Sequence, residues 1–209
     1  MKILQGLLSA IAAGFCIGLG GAVFLLQSEK LVGALLFCVG LYTICEMQFH
    51  LFTGRVCYAL EQPLWSWFRF PLIWIGNWLG AGLAASLLGL TRVGPAARQA
   101  ALVLVAGKNG DTFLSLFILG FFCNIFVYIA VEGYKTFPLA LGKYLAIFVG
   151  ITVFIMSGYE HSVADMFYYF MAGQMDQEAL VRLLVITGGN ICGGLTAWGA
   201  RQAARKAAG

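Results

Sequence analysis

GYEHSVADM, residues Gly158 to Met166, puts a glutamate, a histidine, a serine and an aspartate inside what is otherwise one long apolar run. Tyr144 to Met156 lies on one side and Met166 to Met171 on the other. Neither flank reaches the roughly 20 apolar residues that a membrane-spanning helix needs. Joined, they make a single span with a break inside it. An ionisable side chain at that depth costs about 2.5 kcal/mol or more, so Glu160, His161 and Asp165 are expected to face water or protein and to carry function. The plainer reading, an ordinary solvated loop, leaves two segments that are each too short to cross.

Composition sets the class. Apolar residues make up 61% of the 209, charged residues 11%, and mean hydropathy is +0.87, whereas a soluble domain is about 25% charged. This predicts an all-α integral membrane protein of one domain, residues 1–209. Six apolar stretches are long enough to span: Ile3 to Leu26, Leu31 to Leu60, Phe70 to Leu90, Thr112 to Val131, Leu139 to Met171 and Ala179 to Ala200. Backbone groups in lipid must be satisfied within their own segment, which leaves helices as the open choice. The second and fifth stretches are too long and too polar at their centres to be simple spans, so both are expected to be broken helices. Asp111 and Asp176 stand where helices should start and are candidate caps.

With both termini in the cytoplasm, the inner side carries Lys2, Arg55, Arg69, Lys135, Lys143, Arg201, Arg205 and Lys206. The outer side carries Lys30, Arg92, Arg98, Lys108 and Arg182, so the excess follows the positive-inside rule. The net charge of +4 is then topological, and no basic patch with interleaved aromatics points to nucleic acid. The cysteines lie in or beside apolar stretches without metal spacing and read as free thiols. The first span opens at once and reads as a retained helix, not a cleaved leader, and no gating by an amphipathic N-terminal segment is expected.

The two halves repeat. Ile75-Gly76-Asn77-Trp78-Leu79-Gly80 in the third span answers Gly188-Gly189-Asn190-Ile191-Cys192-Gly193 in the sixth, a shared GNxxG at an offset of 113 residues. Gly14-Phe15-Cys16 loosely answers the segment Gly120 to Cys123. The halves, about 3–90 and 112–203, hold three spans each, an odd number, so the second must enter the membrane inverted. Inverted repeats with broken helices at matching positions mark a midplane transport site. The GNxxG glycines are expected to let helices approach closely, and Gly54 and Gly158 to turn the chain at the breaks.

HLFTG at His50 to Gly54, Cys123-Asn124, GYEHSVADM and GNICGG at Gly189 to Gly194 together resemble the formate/nitrite transporters, a family that includes hydrosulfide channels. The resemblance implies an aquaporin-like protomer of six helices in a homopentamer in the cytoplasmic membrane, with no cofactor and no metal. It implies that Leu41 and Phe52 form the cytoplasmic constriction and Phe154 the periplasmic one. Thr53 and Asn124 would line the chamber between them with His161 as its titratable group, and Lys108, in a glycine-flanked loop from Ala106 to Asp111, would draw anions into the outer vestibule. The family more often has an acidic residue at His50 and an asparagine at Arg55. His50 and Glu46, four residues apart, are expected to pair on one helix face or, with Glu160, to modulate pH dependence.

Physical chemistry supports that reading. A small carboxylate entering an apolar throat loses hydration worth on the order of 20 kcal/mol in the idealised limit, and its neutral conjugate acid escapes most of that. A proton donor beside the throat is then needed, and histidine, with an unperturbed pKa of about 6.5, changes charge near neutral pH. The expected function is a channel or transporter for small weak-acid anions, formate or nitrite first and hydrosulfide as the alternative, working with protons and not as an enzyme. Each residue also has a structural reading: His161 and Asn124 as interhelix hydrogen bonders, Thr53 bonding to its own helix, Lys108 as a solvated charge. A rival of another class is a membrane-embedded metal-dependent enzyme using His50, His161, Glu46, Glu160 and Asp165. No HExxH pair is present, and Ser162 lacks a GxSxG context.

Overall fold

A computed structural model of the chain describes residues 2–208. Four crossings are built on unbroken helices: α1 (Lys2–Leu25), α4 (Arg69–Gly89), α6 (Phe113–Thr136) and α9 (Gln177–Ala208). The second crossing divides into α2 (Lys30–Glu46) and α3 (Phe52–Val56), the fifth into α7 (Ala140–Met156) and α8 (Ser162–Ala172). Outward faces carry exposed Leu35, Leu36 and Val39 of α2 and Leu145, Phe148 and Val149 of α7. Such faces suit hydrocarbon. The chain is a multi-pass membrane protein.

The repeat is visible in the packing. α1 lies against α4 as α6 lies against α9, and α1 meets α2 as α6 meets α7. The GNxxG glycines make the approach possible: a Cβ on Gly80 would collide with the Ile11 carbonyl, and one on Gly193 with the Phe121 carbonyl.

Breaking a helix at membrane depth orphans amides and carbonyls that water cannot reach. Here the two asparagines of the GNxxG pairs satisfy them, in the same way twice. Asn77 Oδ1 accepts the Phe52 amide at 2.8 Å, and its Nδ2 donates to the carbonyls of His50 at 2.9 Å and Ala10 at 2.7 Å. Asn190 Oδ1 accepts the Ser162 amide at 3.0 Å, and its Nδ2 donates to the carbonyls of Glu160 at 2.9 Å and Gly120 at 2.8 Å. Each amide caps the second half-helix, holds the broken strand and ties both to a neighbouring span. The expectation for these motifs concerned only the glycines; the asparagines between them carry the breaks.

The turns correct one expectation. Gly158 has φ +71° as anticipated, but its counterpart in the first half is Gln48, φ +57°, not Gly54. Gly54 lies inside α3, where an added Cβ would meet only Val131 Cγ2 at an ordinary 3.5 Å. Pairing of His50 with Glu46 also fails, because α2 ends at Glu46 and the helical spacing it requires is gone.

Between α4 and α6 the chain forms a helix that the sequence reading left as connection, α5 (Gly94–Asn109). A proline in its first turn and buried Ala97, Ala101 and Val105 at helical spacing explain it. It packs on α8 and puts Lys108 in its last turn instead of in a loop. Asp176 caps α9 through the Ala179 amide at 2.9 Å, while at α6 the cap is Thr112, with Asp111 one residue ahead holding the Thr112 amide.

Replacing Asn190 or Asn77 by alanine takes the partner from the first amide of the half-helix and from the carbonyl two residues before it, and is expected to cost about 2 kcal/mol or more, read as the fall in thermal midpoint of the purified protein. Gly158→Ala is expected to lose about 1 kcal/mol to its left-handed backbone, whereas Gly54→Ala leaves the midpoint where it was.

Candidate functional site

α8 begins with His161 as its N-cap. The ring's Nδ1 accepts the Ala164 amide at 3.1 Å, and Nε2 lies 2.9 Å from Thr53 Oγ1 of α3. An amide has only a proton to give, so Nδ1 is the bare nitrogen, and the proton of the neutral ring sits on Nε2 and is donated to Thr53. No second partner for the Thr53 hydroxyl is present among the described residues, and its own hydrogen is free to donate. This hydrogen bond joins the two halves of the chain, with both side chains buried.

The ring stacks on Phe154 of α7 with centroids 5.7 Å apart and planes 17° apart, and Phe154 meets Phe37 edge-on. Asn124 of α6 lies on the other side of Thr53. Its Nδ2 donates to the Thr53 carbonyl at 3.2 Å and the Asn190 carbonyl at 2.7 Å, while its buried Oδ1 has no partner among the described residues. A buried group that can only accept and has no partner suits a neighbour that carries a hydrogen.

At the end of the bundle where α1 starts and α9 finishes, a cavity of about 470 Å³ reaches Leu41, Leu51 and Gly54. Leu51 did not stand out in the sequence; it immediately precedes α3 as His161 immediately precedes α8, and that matched position was the available signal. Phe52 is buried behind it. A second cavity of about 640 Å³ at the same end is lined by His50 but not by Glu46, and the smaller one by Glu46 but not by His50. The two residues do not act as a pair.

The opposite end holds the charge cluster. Lys108 Nζ pairs with Glu160 and, at 2.8 Å, with Asp165 Oδ1. Burial alone would pull this lysine down, but the carboxylates of Asp165 and Glu160 outweigh it and hold its pKa above the ordinary lysine value. Arg182 of α9 donates to the Lys108 and Asp111 carbonyls at 3.0 and 2.9 Å, fixing the end of α5 in place. One ammonium committed to two carboxylates leaves no spare positive charge here. The residues the enzyme reading needed are dispersed: Glu160 and Asp165 on Lys108, His161 on Thr53, His50 and Glu46 in separate cavities. No metal-binding cluster of His, Cys, Asp or Glu forms among the described residues.

The family model described as formate/nitrite transporter matches residues 1–202. The formate channel FocA of Haemophilus influenzae is 28% identical over 185 residues, covering 77% of this chain and 63% of that protein. The uncharacterized transporter YrhG of Bacillus subtilis is 32% identical over 150 residues, covering 66% of this chain and 56% of its own. The chain thus spans less than two thirds of the length of either relative. Among solved structures, a pentameric formate channel with formate bound superposes with a TM-score of 0.82 at 24% identity, covering 96% of both chains. An FNT family ion channel gives 0.81 at 26%, covering 95% of this chain and 89% of its own. With a family model running nearly end to end and the same fold in both solved channels, the chain belongs to the formate/nitrite transporter family.

Proposed function

We propose that the protein is a channel for small monovalent weak-acid anions, formate or nitrite first, that moves its substrate together with a proton through the site at His161 and Thr53. The observation that carries this reading is the His161 Nε2 to Thr53 Oγ1 contact of 2.9 Å, buried between apolar side chains where the two broken helices meet. Family membership supports the substrate class, as does a solved formate channel of the same fold with formate bound. That structure is a pentamer, and a homopentamer in the cell membrane with both chain ends in the cytoplasm is the assembly we infer.

Leu41, Leu51, Phe52 and Phe154 then act as gates that an ion does not cross with its charge, because apolar constrictions exclude ions by dewetting. Between the gates the anion accepts a hydrogen bond from the Thr53 hydroxyl, which is polarised by the Nε2–H behind it. Complete transfer of a proton needs the imidazolium, since a neutral ring that gave up Nε2–H would be left as imidazolate. The charged ring forms when Nδ1 takes a proton and releases the Ala164 amide. After transfer through Thr53 the guest is a neutral acid whose O–H suits the Asn124 Oδ1; the ring is left neutral with its proton on Nδ1, and it caps Ala164 again once Nδ1 has lost that proton and Nε2 has taken one up. Lys108 holds Glu160 and Asp165 in place around the break.

Vesicles carrying the purified protein are expected to take up formate faster as external pH falls from about 7 to about 5, because protonation enables passage. His161→Asn retains a good cap for α8 and is expected to keep the fold while lowering formate and nitrite flux by roughly a hundredfold. Hydrosulfide tested in parallel ranks the third substrate. Unchanged flux with an unchanged pH profile in the folded variant removes His161 from this role.

A further inference from the structure

The mouth at the end where α1 starts and α9 finishes holds cations that make no ion pair among the described residues. Arg55 and Lys135 both line the larger cavity and both line the smaller one, so they stand where the two meet. The acids on the larger cavity make their bonds elsewhere, Glu61 to neutral donors only. Glu61 Oε1 accepts the Trp198 indole at 2.6 Å and the Gln202 amide at 3.2 Å, and Glu132 takes the Tyr58 hydroxyl and pairs with Arg201. Glu46, on the smaller cavity, makes no ion pair with Arg55 or Lys135 among the described residues. Lys135 Nζ lies over the Tyr58 ring, 3.7 Å from its centroid, and the Arg55 guanidinium has no hydrogen-bond acceptor among the described residues.

Topology alone does not account for this pair. The neighbouring cation Arg201 is paired with Glu132. Arg55 instead sits on α3, two residues after Thr53. Two like charges lining one cavity repel each other, and a small anion between them turns that repulsion into two attractions. At the opposite end Lys108 is paired with two carboxylates and Arg182 with Glu178, while Arg92 and Arg98 are exposed.

We propose that Arg55 and Lys135 form an anion-loading site at the junction of the two cavities. The guanidinium fork engages two oxygens of a carboxylate or nitrite, and the ammonium engages the same anion from the side. The site holds the anion just before Leu41 and Leu51, so anions are captured from the end of the bundle that carries Arg55. It deepens the anion-channel reading and rests on it for its biological use, not for its chemistry.

Calorimetric titration of the purified full chain with sodium formate and with sodium nitrite tests the site directly, beside the half-saturating formate concentration of flux in vesicles. Arg55→Gln and Lys135→Gln, each checked for an unchanged thermal midpoint, are expected to weaken binding about tenfold and to raise the half-saturating concentration by a similar factor. Wild-type binding is expected to weaken as sodium sulfate is raised. Binding and half-saturation that stay at wild-type values in either folded variant overturn the proposal. Should wild-type vesicles carry no formate while the purified protein still binds it through these two residues, the channel reading falls and the loading site stands.

Discussion

A peptide group in hydrocarbon has nowhere to put its hydrogen bond except into protein, and this chain interrupts two helices under that constraint. One carboxamide per break resolves it. Asn77 and Asn190 each accept the first amide of the second half-helix and donate to the carbonyl two residues earlier, with a third bond into a neighbouring span. Without these contacts each break would leave several buried groups unpaired, each costing about 1–3 kcal/mol. With them, an irregular backbone is held firmly enough to aim side chains into the middle of the bundle.

What the two breaks aim differs, and the difference is chemical. The residue before the half-helix is Leu51 in the first repeat and His161 in the second; one lines the smaller cavity and the other reaches Thr53 across the repeat boundary. Neither half contains the site alone. The turn residues diverge too, Gln48 against Gly158, although both adopt positive φ. The same scaffold therefore places a leucine at the break in one copy and an imidazole at the break in the other. Charge follows a similar division: the ammonium at the α5 end is neutralised by Glu160 and Asp165, while Arg55 and Lys135 stay open at the other.

Most of the fold was legible because membrane insertion imposes it. The six stretches, the two breaks and the inverted repeat follow from length, polarity and the recurrence of GNxxG. The meeting of His161 with Thr53 came from the family resemblance, and the structure brings the two together. Other features were harder. α5 is short and has few large apolar residues, so its buried stripe of Ala97, Ala101 and Val105 was weaker than the glycines near its end. Lys108 consequently read as a loop charge, when its partners come from α8 and the residues just before it. The capping asparagines were visible as letters, but their partners lie dozens of residues away, and only three-dimensional packing reveals them. The neutral tautomer of His161 depends on the Ala164 amide, a local bond that no composition or spacing encodes.

The central claim is that the guest crosses the gates uncharged, carrying a proton through the buried imidazole and hydroxyl. Measuring proton and formate movement together in vesicles held at different membrane potentials tests it most directly. The account requires one proton per formate and a rate that does not respond to potential. A formate current that follows the potential, with no accompanying change in internal pH, would contradict it.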